Sequence, residues 1–272
     1  MIRLGTGALH HRGCGHLMCG AYAPADARAG SATVPKSAGP VPRNLIEDLA
    51  AAARILAAEG VVDGFGHVSM RHPTAPDRYL MSRSVAPALQ MPDDIIEYDL
   101  DSTPIDANGR GSFLERFIHG EIYRKRPDVM SVVHSHSPSV IPYSLTGLPM
   151  RAMYHNAAFL AAGVPVFKVE EKFGPTNMLV SNNAMGVELA SVLGSKHVAL
   201  MRAHGSVACG PSLQVAVFRA VYTEVSARVQ QAALAHGLPI AALSEAEGLL
   251  ADETNMGAGM RAWELWRGQV KF

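Results

Sequence analysis

Three histidines and one glutamate have the types and the spacing of metal ligands. His134 and His136 lie two positions apart, at the end of an apolar run from Val129 to Val133. Such a run predicts a buried strand, and side chains at i and i+2 of a strand point to the same face. Both imidazoles can therefore reach one ion. Glu115 upstream and His204 downstream complete the set.

His204 follows a second apolar run, His197 to Met201, which predicts another strand with the histidine at its end. Three neutral imidazoles and one further position for water or a carboxylate are the plan of a catalytic divalent-metal site. We therefore predict one divalent ion per subunit. The ligand set does not distinguish Zn, Mn, Fe and Co.

Each of these residues also has a structural interpretation. A histidine in an apolar strand is often a hydrogen-bonded core residue. The segment from Ser112 to Glu115 fits a capping box, in which the serine caps a helix and the glutamate returns to its amide. A helix that begins at Ser112 would end before Pro127. The cap and the metal role do not exclude each other, because a helix N-terminus can open into a site.

The surrounding elements follow from apolar spacing and turn residues. Leu45, Leu49, Ala53 and Leu56 repeat at helical spacing, and Gly60 fits the position just after the helix end. Two further helices are predicted over 213–235 and 244–267, the second with Trp263 and Trp266 as packing residues. Short strands are predicted at 66–70, 79–81, 163–167 and 178–180.

Composition excludes several classes of function. The 272 residues include 24 Lys+Arg and 24 Asp+Glu, so no net charge indicates binding to nucleic acid or to an anionic membrane. No apolar stretch reaches the ~18 residues of a membrane span. Three cysteines do not form an even disulfide framework, which favours a reducing cytoplasm.

The two ends of the chain differ in composition. Residues 1–42 are rich in Gly, Ala, Pro and Ser without periodic apolar spacing, and we predict that they are a disordered extension. Residues 43–272 are predicted to form the folded domain, with a C-terminal helical segment.

The spacing of Glu115, His134 and His136, together with His204-Gly205, resembles the class II aldolase/adducin family. The stretch from Gly64 to Arg71 is similar to the G-N-x-S-x-R segment of that family, and the resemblance covers about residues 44 to 236. It implies an α/β/α three-layer sandwich around a mixed, mainly antiparallel sheet, and a homotetramer with sites at subunit interfaces. It also implies the three histidines as metal ligands, with Glu115 as fourth ligand or as acid/base.

The departures from the family pattern bear on the substrate. Sugar-phosphate aldolases place two small hydroxyl residues before the glutamate, where this chain has Phe113 and Leu114. The asparagine of the G-N-x-S segment is His67, and the aldolase tyrosine is missing before Phe173-Gly174. The pattern looks closer to a decarboxylase branch that includes 3-hydroxy-2-methylpyridine-4,5-dicarboxylate 4-decarboxylase and dihydroxyphthalate decarboxylases.

The predicted function is therefore decarboxylation of an ortho-hydroxy aromatic (di)carboxylate, a small molecule. Three alternatives stay open: a class II aldolase, a non-haem iron enzyme on the same scaffold, and an adducin-like interaction module. Arg71, Arg83 and Arg202 could bind a second carboxylate or could form ion pairs. The predicted substrate-binding residues are His67, Ser69, Arg71, Arg83 and His155.

Overall fold

The computed structural model describes residues 36–105 and 107–272. The strands are β1 (His67–Arg71), β2 (Arg78–Ser82), β3 (Ile95–Asp99), β4 (Ser131–Ser135), β5 (Val166–Phe167), β6 (Val198–Met201) and β7 (Gly205–Gly210). They form one sheet in the order β3-β2-β1-β4-β7-β6-β5. All neighbouring strands are antiparallel except β5 and β6, which are parallel. The predicted mixed, mainly antiparallel sheet is thereby confirmed.

Helices cover both faces of this sheet and make three layers. Alternate residues of each strand enter opposite cores, as strand geometry requires. The helices are α1 (Arg43–Ala58), α2 (Phe117–Lys125), α3 (Ile141–Thr146), α4 (Val169–Phe173), α5 (Asn183–Leu193), α6 (Leu213–Ala235) and α7 (Glu245–Gln269). Val132 of β4 packs in the core beneath α2 and α5, whereas Val133 packs in the core beneath α1, α6 and α7.

The long helices begin and end where local sequence signals place them. Gly60, two residues beyond the end of α1, has φ of 71° and confirms the predicted helix stop. Ser212 and Ser244 cap α6 and α7 with their side chains. Trp263 and Trp266 are buried in the core, as predicted. Among the described residues, no helix combines the length and the hydropathy that crossing a bilayer requires.

Two predicted elements are wrong. The helix predicted from Ser112 begins at Phe117, because Ser112 accepts a hydrogen bond from the Tyr98 hydroxyl at 2.9 Å instead of capping a helix. The strand predicted at 178–180 is a loop, and Met178 has φ of 68°, which strand geometry does not allow.

The predicted extension over 1–42 lies largely outside the described residues, and it stays a prediction. Within its described part, the Ser37 hydroxyl and the Ala38 amide donate to the carboxylate of Glu97, at 2.6 and 2.9 Å. Glu97 is a buried residue of β3.

Candidate metal centre

The H-x-H pair lies on β4, on the face covered by α2 and α5. His134 shares this face with Val132, two residues earlier, and is fully buried. His136 follows directly after the strand and is half-buried. The Nε2 atoms of the two rings are 3.1 Å apart. The prediction that this spacing aims both imidazoles at one point is confirmed by their geometry.

His204 reaches the same point from the turn that joins β6 to β7. Its Nε2 atom lies 3.0 Å from Nε2 of His136. The turn is tight: Ala203 has φ of 53° and Gly205 lies against β4. A Cβ atom on Gly205 would stand 2.0 Å from the carbonyl oxygen of Ser135. Only glycine allows β7 to approach β4 this closely, and that approach sets the position of His204.

Glu115 is not a helix cap. The residue at the N-cap of α2 is Arg116. One carboxylate oxygen of Glu115 accepts the backbone N–H of Val180 at 2.9 Å. The other lies 3.4 Å from Nε2 of His134 and 3.3 Å from Nε2 of His204. The capping-box interpretation is therefore wrong, and the carboxylate belongs to the histidine cluster.

The backbone fixes how two of the imidazoles are protonated. Nδ1 of His134 donates to the carbonyl oxygen of Ser206 at 3.1 Å, and Nδ1 of His204 donates to that of Met178 at 3.0 Å. A carbonyl only accepts, so each Nδ1 carries the proton and each Nε2 lone pair points inward. Lone pairs about 3 Å apart repel each other unless a cation lies between them.

The cluster fits a tetrahedral metal ion. Three Nε2 atoms and one carboxylate oxygen lie within 4.8 Å of one another. Ligands at metal–nitrogen distances of about 2.0–2.1 Å in a tetrahedron are roughly 3.3 Å apart. Four of the six separations, from 3.0 to 3.4 Å, agree with that value, and the other two are not longer than 4.8 Å.

The charges of the cluster favour a cation. Burial alone would raise the pKa of Glu115, but His134 and His204 outweigh it and hold that pKa well below its usual range. Burial lowers the pKa of His136 to about 4, and the two neighbouring histidines act in the same direction. Burial opposes protonation of His204, yet the hydrogen bond to Glu115 raises its pKa. One carboxylate among imidazoles attracts either a proton or a metal ion.

A cleft of about 380 Å³ opens beside the cluster and contains Glu115, His136 and His67 in its wall. The rest of the wall is largely apolar. Phe65 and Leu114 stand at the wall with exposed fractions of 68% and 63%. The Phe65 ring centroid lies 6.2 Å from that of His136. Within the described part of the chain, no lysine or arginine lines this cleft.

Of the predicted substrate-binding residues, the cleft contains only His67. Ser69 lies deeper on the same face of β1, where it is fully buried. Arg71 is a structural residue, because its guanidinium donates to the backbone carbonyls of Val129, Pro76, Tyr123 and Arg126. It is not among the residues that line the cleft.

Arg83 and His155 also lie outside this cleft within one subunit. Arg83 pairs with Asp94 at 2.6 Å, next to the cleft residue Ser84. His155 is exposed, and its carbonyl accepts from Asn255 of α7. Arg202 pairs with Glu170. The ion-pair interpretation of Arg83 and Arg202 therefore agrees with the structure.

Sequence reasoning missed His119 and Tyr123, which are buried on α2 directly behind the cleft. His119 Nε2 lies 2.6 Å from Nδ1 of His67, and Tyr123 is hydrogen-bonded to Ser69 at 2.7 Å. The available signal was helical spacing. Glu115, His119 and Tyr123 are four residues apart in turn, so they follow one face of the chain toward the sheet.

Comparison with known proteins agrees with this arrangement. Residues 47–231, more than half of the chain, match the class II aldolase and adducin N-terminal domain. The decarboxylase TropJ of Talaromyces stipitatus is 37% identical over 240 residues, which cover 80% of this chain and 90% of that protein. The 3,4-dihydroxyphthalate decarboxylase of a Terrabacter species is 30% identical over 253 residues, which cover 84% and 95%.

A solved structure shares the fold. The L-fuculose 1-phosphate aldolase of Glaciozyma antarctica superposes with a TM-score of 0.69, covering 83% of this chain and 88% of that one, at 24% identity. The predicted three-layer α/β/α architecture is thereby confirmed.

Proposed function

The chain belongs to the class II aldolase and adducin family, and from this premise we propose that it is a divalent-metal-dependent decarboxylase of an ortho-hydroxy aromatic carboxylate. Its similarity to TropJ and to 3,4-dihydroxyphthalate decarboxylase supports a carboxy-lyase. His134, His136 and His204 would hold the ion, and Glu115 would be a fourth ligand or the acid/base group.

The residues that line the cleft favour a decarboxylase over an aldolase. A sugar phosphate needs donors or cations for its phosphate. Here Phe113 and Leu114 precede Glu115, and the described cleft wall has no lysine or arginine. Phe65, Val85 and Leu179 add apolar surface that suits the faces of an aromatic ring.

The chemistry of the reaction assigns a role to Glu115. Loss of CO₂ directly from an aryl carboxylate would leave an electron pair in the ring plane. If the ortho hydroxyl gives up its proton and the carbon that bears the carboxylate gains one, that carboxylate becomes β to a carbonyl. The carbon–carbon bond then breaks, CO₂ leaves, and the electron pair returns through the ring to the oxygen, which takes a proton from solvent.

Glu115 can perform the first proton movement. A carboxylate in the cleft wall beside the three histidines can take the hydroxyl proton of a bound substrate and deliver it to the ring carbon. A bound divalent ion would supply Lewis-acid stabilisation of the negative oxygen. The apolar rim of Phe65 and Leu114 would limit water around the ring.

Purified protein loaded separately with Zn, Mn, Fe or Co tests the proposal under anaerobic conditions. We expect CO₂ release from ortho-hydroxy aromatic acids such as 3,4-dihydroxyphthalate, and no cleavage of L-fuculose 1-phosphate. Efficient cleavage of the sugar phosphate without CO₂ release from any aromatic acid would replace the proposal with an aldolase. Strict dependence on O₂ would indicate iron oxidation chemistry instead.

We also propose a homotetramer with sites at subunit interfaces, as in the family. Three leucines of α7 are exposed by 62 to 70%, which supports a further packing partner: Leu249, Leu250 and Leu265. Light scattering after size exclusion would give the number of subunits.

A further inference from the structure

A continuous row of hydrogen bonds runs from the cleft into the core between α2 and the sheet. Nδ1 of His67 is 2.6 Å from Nε2 of His119, whose Nδ1 is 2.6 Å from Oγ of Ser69. The same Oγ is 2.7 Å from the hydroxyl of Tyr123. We call these four side chains, His67, His119, Ser69 and Tyr123, the His67 relay. Metal coordination uses none of them.

The relay is built for neutral side chains. All four residues are buried, and His119 and Ser69 are completely inaccessible. The two rings meet nitrogen to nitrogen at 2.6 Å, so one of these two nitrogens must be an unprotonated acceptor. Among the described residues, no carboxylate is in hydrogen-bond contact with either buried ring to balance a positive charge there. Each imidazole therefore carries one proton, and the buried tyrosine keeps its own.

Tyr123, at the end of the relay away from the cleft, sets the direction of the hydrogen bonds. Among the described residues, Ser69 Oγ is the only side-chain acceptor in hydrogen-bond contact with the Tyr123 hydroxyl. The guanidinium of Arg71, 4.8 Å above the tyrosine ring, has only donors. A buried hydroxyl proton without an acceptor is costly. Tyr123 therefore donates to Ser69.

Each following bond is then determined. Among the described residues, Nδ1 of His119 is then the only acceptor within reach of the buried Ser69 proton, so Ser69 donates to it. Nδ1 of His119 accepts, so the single proton of this ring is on Nε2 and is donated to Nδ1 of His67. Nδ1 of His67 accepts in turn, which leaves its proton on Nε2. Reversing the row would leave the buried Tyr123 proton without an acceptor.

Nε2 of His67 has no hydrogen-bond partner among the described residues, and His67 lines the cleft beside Glu115 and Phe113. Resting on the function proposed above, we propose that the His67 relay presets Nε2–H of His67 as a neutral hydrogen-bond donor that binds an anionic oxygen of the aromatic acid. His119, Ser69 and Tyr123 are positioning residues that hold this tautomer.

Two consequences follow from a fixed donor. A protonated Nε2 cannot coordinate a metal ion, so His67 is excluded as a fifth ligand although its ring centroid lies 5.0 Å from that of His134. The donor can also bind an anion, a role that no lysine or arginine of the described cleft wall can take. The preferred substrate class is therefore an aromatic acid with two anionic groups, one that binds the metal ion and one that binds His67.

Phthalate is the probe for binding, because it has two carboxylates and lacks the ring hydroxyl that decarboxylation needs. Two variants of His67 test the roles of its two ring nitrogens separately. His67→Gln places an N–H near the position of Nε2, whereas His67→Asn places its amide near Nδ1 and leaves no donor at the cleft. Calorimetry on zinc-loaded protein should show phthalate affinity roughly 10- to 100-fold weaker for His67→Asn. His67→Gln should recover most of that loss, and both variants should keep full zinc.

The inner end is tested by Tyr123→Phe, with Tyr79→Phe as the matched control. Tyr79 is equally buried on the same side of the sheet, but its hydroxyl donates to Ser102 at 3.0 Å, outside the relay. Nitrogen-15 spectra of zinc-loaded, histidine-labelled protein report the tautomer. The proton of His67 should be on Nε2 in the wild type and in Tyr79→Phe. Tyr123→Phe should show both tautomers and bind phthalate several-fold more weakly.

Several results would overturn the inference: a proton on Nδ1 of His67 in the wild type, wild-type phthalate affinity in His67→Asn, zinc loss in that variant, or no phthalate binding by the wild type. Failure of the proposed function is a separate outcome. If no aromatic acid releases CO₂ while the affinities and tautomers follow the expected pattern, the anion site stands and the decarboxylase proposal falls.

Discussion

At the scale of single residues, the histidine cluster depends on bonds that the backbone makes to the far side of each ring. Ser206 and Met178 hold His134 and His204 with Nε2 facing inward. Such outer bonds fix both the orientation and the basicity of a ligand. The backbone therefore prepares these two imidazoles for a cation before any ion arrives.

We expect His134→Ala, His136→Ala and His204→Ala each to remove stoichiometric divalent metal and activity without unfolding the chain. Each variant deletes one inward nitrogen, and the apparent metal affinity should fall by at least roughly 100-fold. Elemental analysis and circular dichroism measure both effects. His155→Ala, at an exposed position away from the cluster, should keep its metal. Wild-type stoichiometry in all three variants would show that the ion binds elsewhere.

Glu115→Gln separates catalysis from coordination. The amide keeps the size of the side chain and an oxygen for the Val180 N–H, but it removes the titrating group. Turnover should fall by roughly 10²-fold or more, while the three histidines retain the metal. Glu121→Gln is the matched control, since Glu121 is another buried carboxylate, on α2, which accepts a hydrogen bond from Asn183 outside the cluster. Near-normal turnover with full metal would limit Glu115 to a structural role.

At the scale of elements, the site is made by the pairing of β4 with β7. Gly205 pairs with Met201 within the turn that carries His204, and its Cα faces the backbone of Ser135. The ligands on β4 and on the turn are therefore set at their distance by backbone contact.

Gly205→Ala should move β7 away from β4 and displace His204. We expect a destabilisation of about 1–3 kcal/mol from overpacking, together with weaker metal binding, measured by denaturant unfolding and metal titration. Gly257→Ala provides the contrast: it lies within α7 with no atom near its added Cβ, so it should be neutral or slightly stabilising. Equal metal affinity in the two variants would contradict a positioning role for Gly205.

The elements also show what the sequence could and could not predict. His134 and His136 were predictable because strand periodicity is local, and α6 because its apolar spacing covers 23 residues. Ser112 and Glu115 match a capping pattern. Their side chains instead accept hydrogen bonds from Tyr98 and Val180, which belong to other parts of the fold. Residues 178–180 have strand-forming side chains, yet Met178 turns so that its carbonyl can hold His204. Local patterns fail here where long-range hydrogen bonds decide the backbone.

At the scale of the whole molecule, the predicted N-terminal extension can be tested by truncation. A chain that begins at Lys36 should keep the melting temperature and metal content of the full protein. A chain that begins at Arg43 loses the hydrogen bonds from Ser37 and Ala38 to buried Glu97, and should be less stable by roughly 1–3 kcal/mol. Thermal unfolding compares the three proteins. A large loss of stability on removing only residues 1–35 would contradict the predicted disorder.

The wide separation of the ligands along the chain has a consequence for biosynthesis. His136 and His204, whose Nε2 atoms nearly touch, are 68 positions apart, and β7 follows the second of them. A ribosome must therefore release the chain beyond Gly210 before the sheet can bring the nitrogens together. Before that point, only Glu115, His134 and His136 of the four ligands can meet an ion. We therefore expect full metal affinity to appear only after β7 has joined the sheet, on the folded subunit.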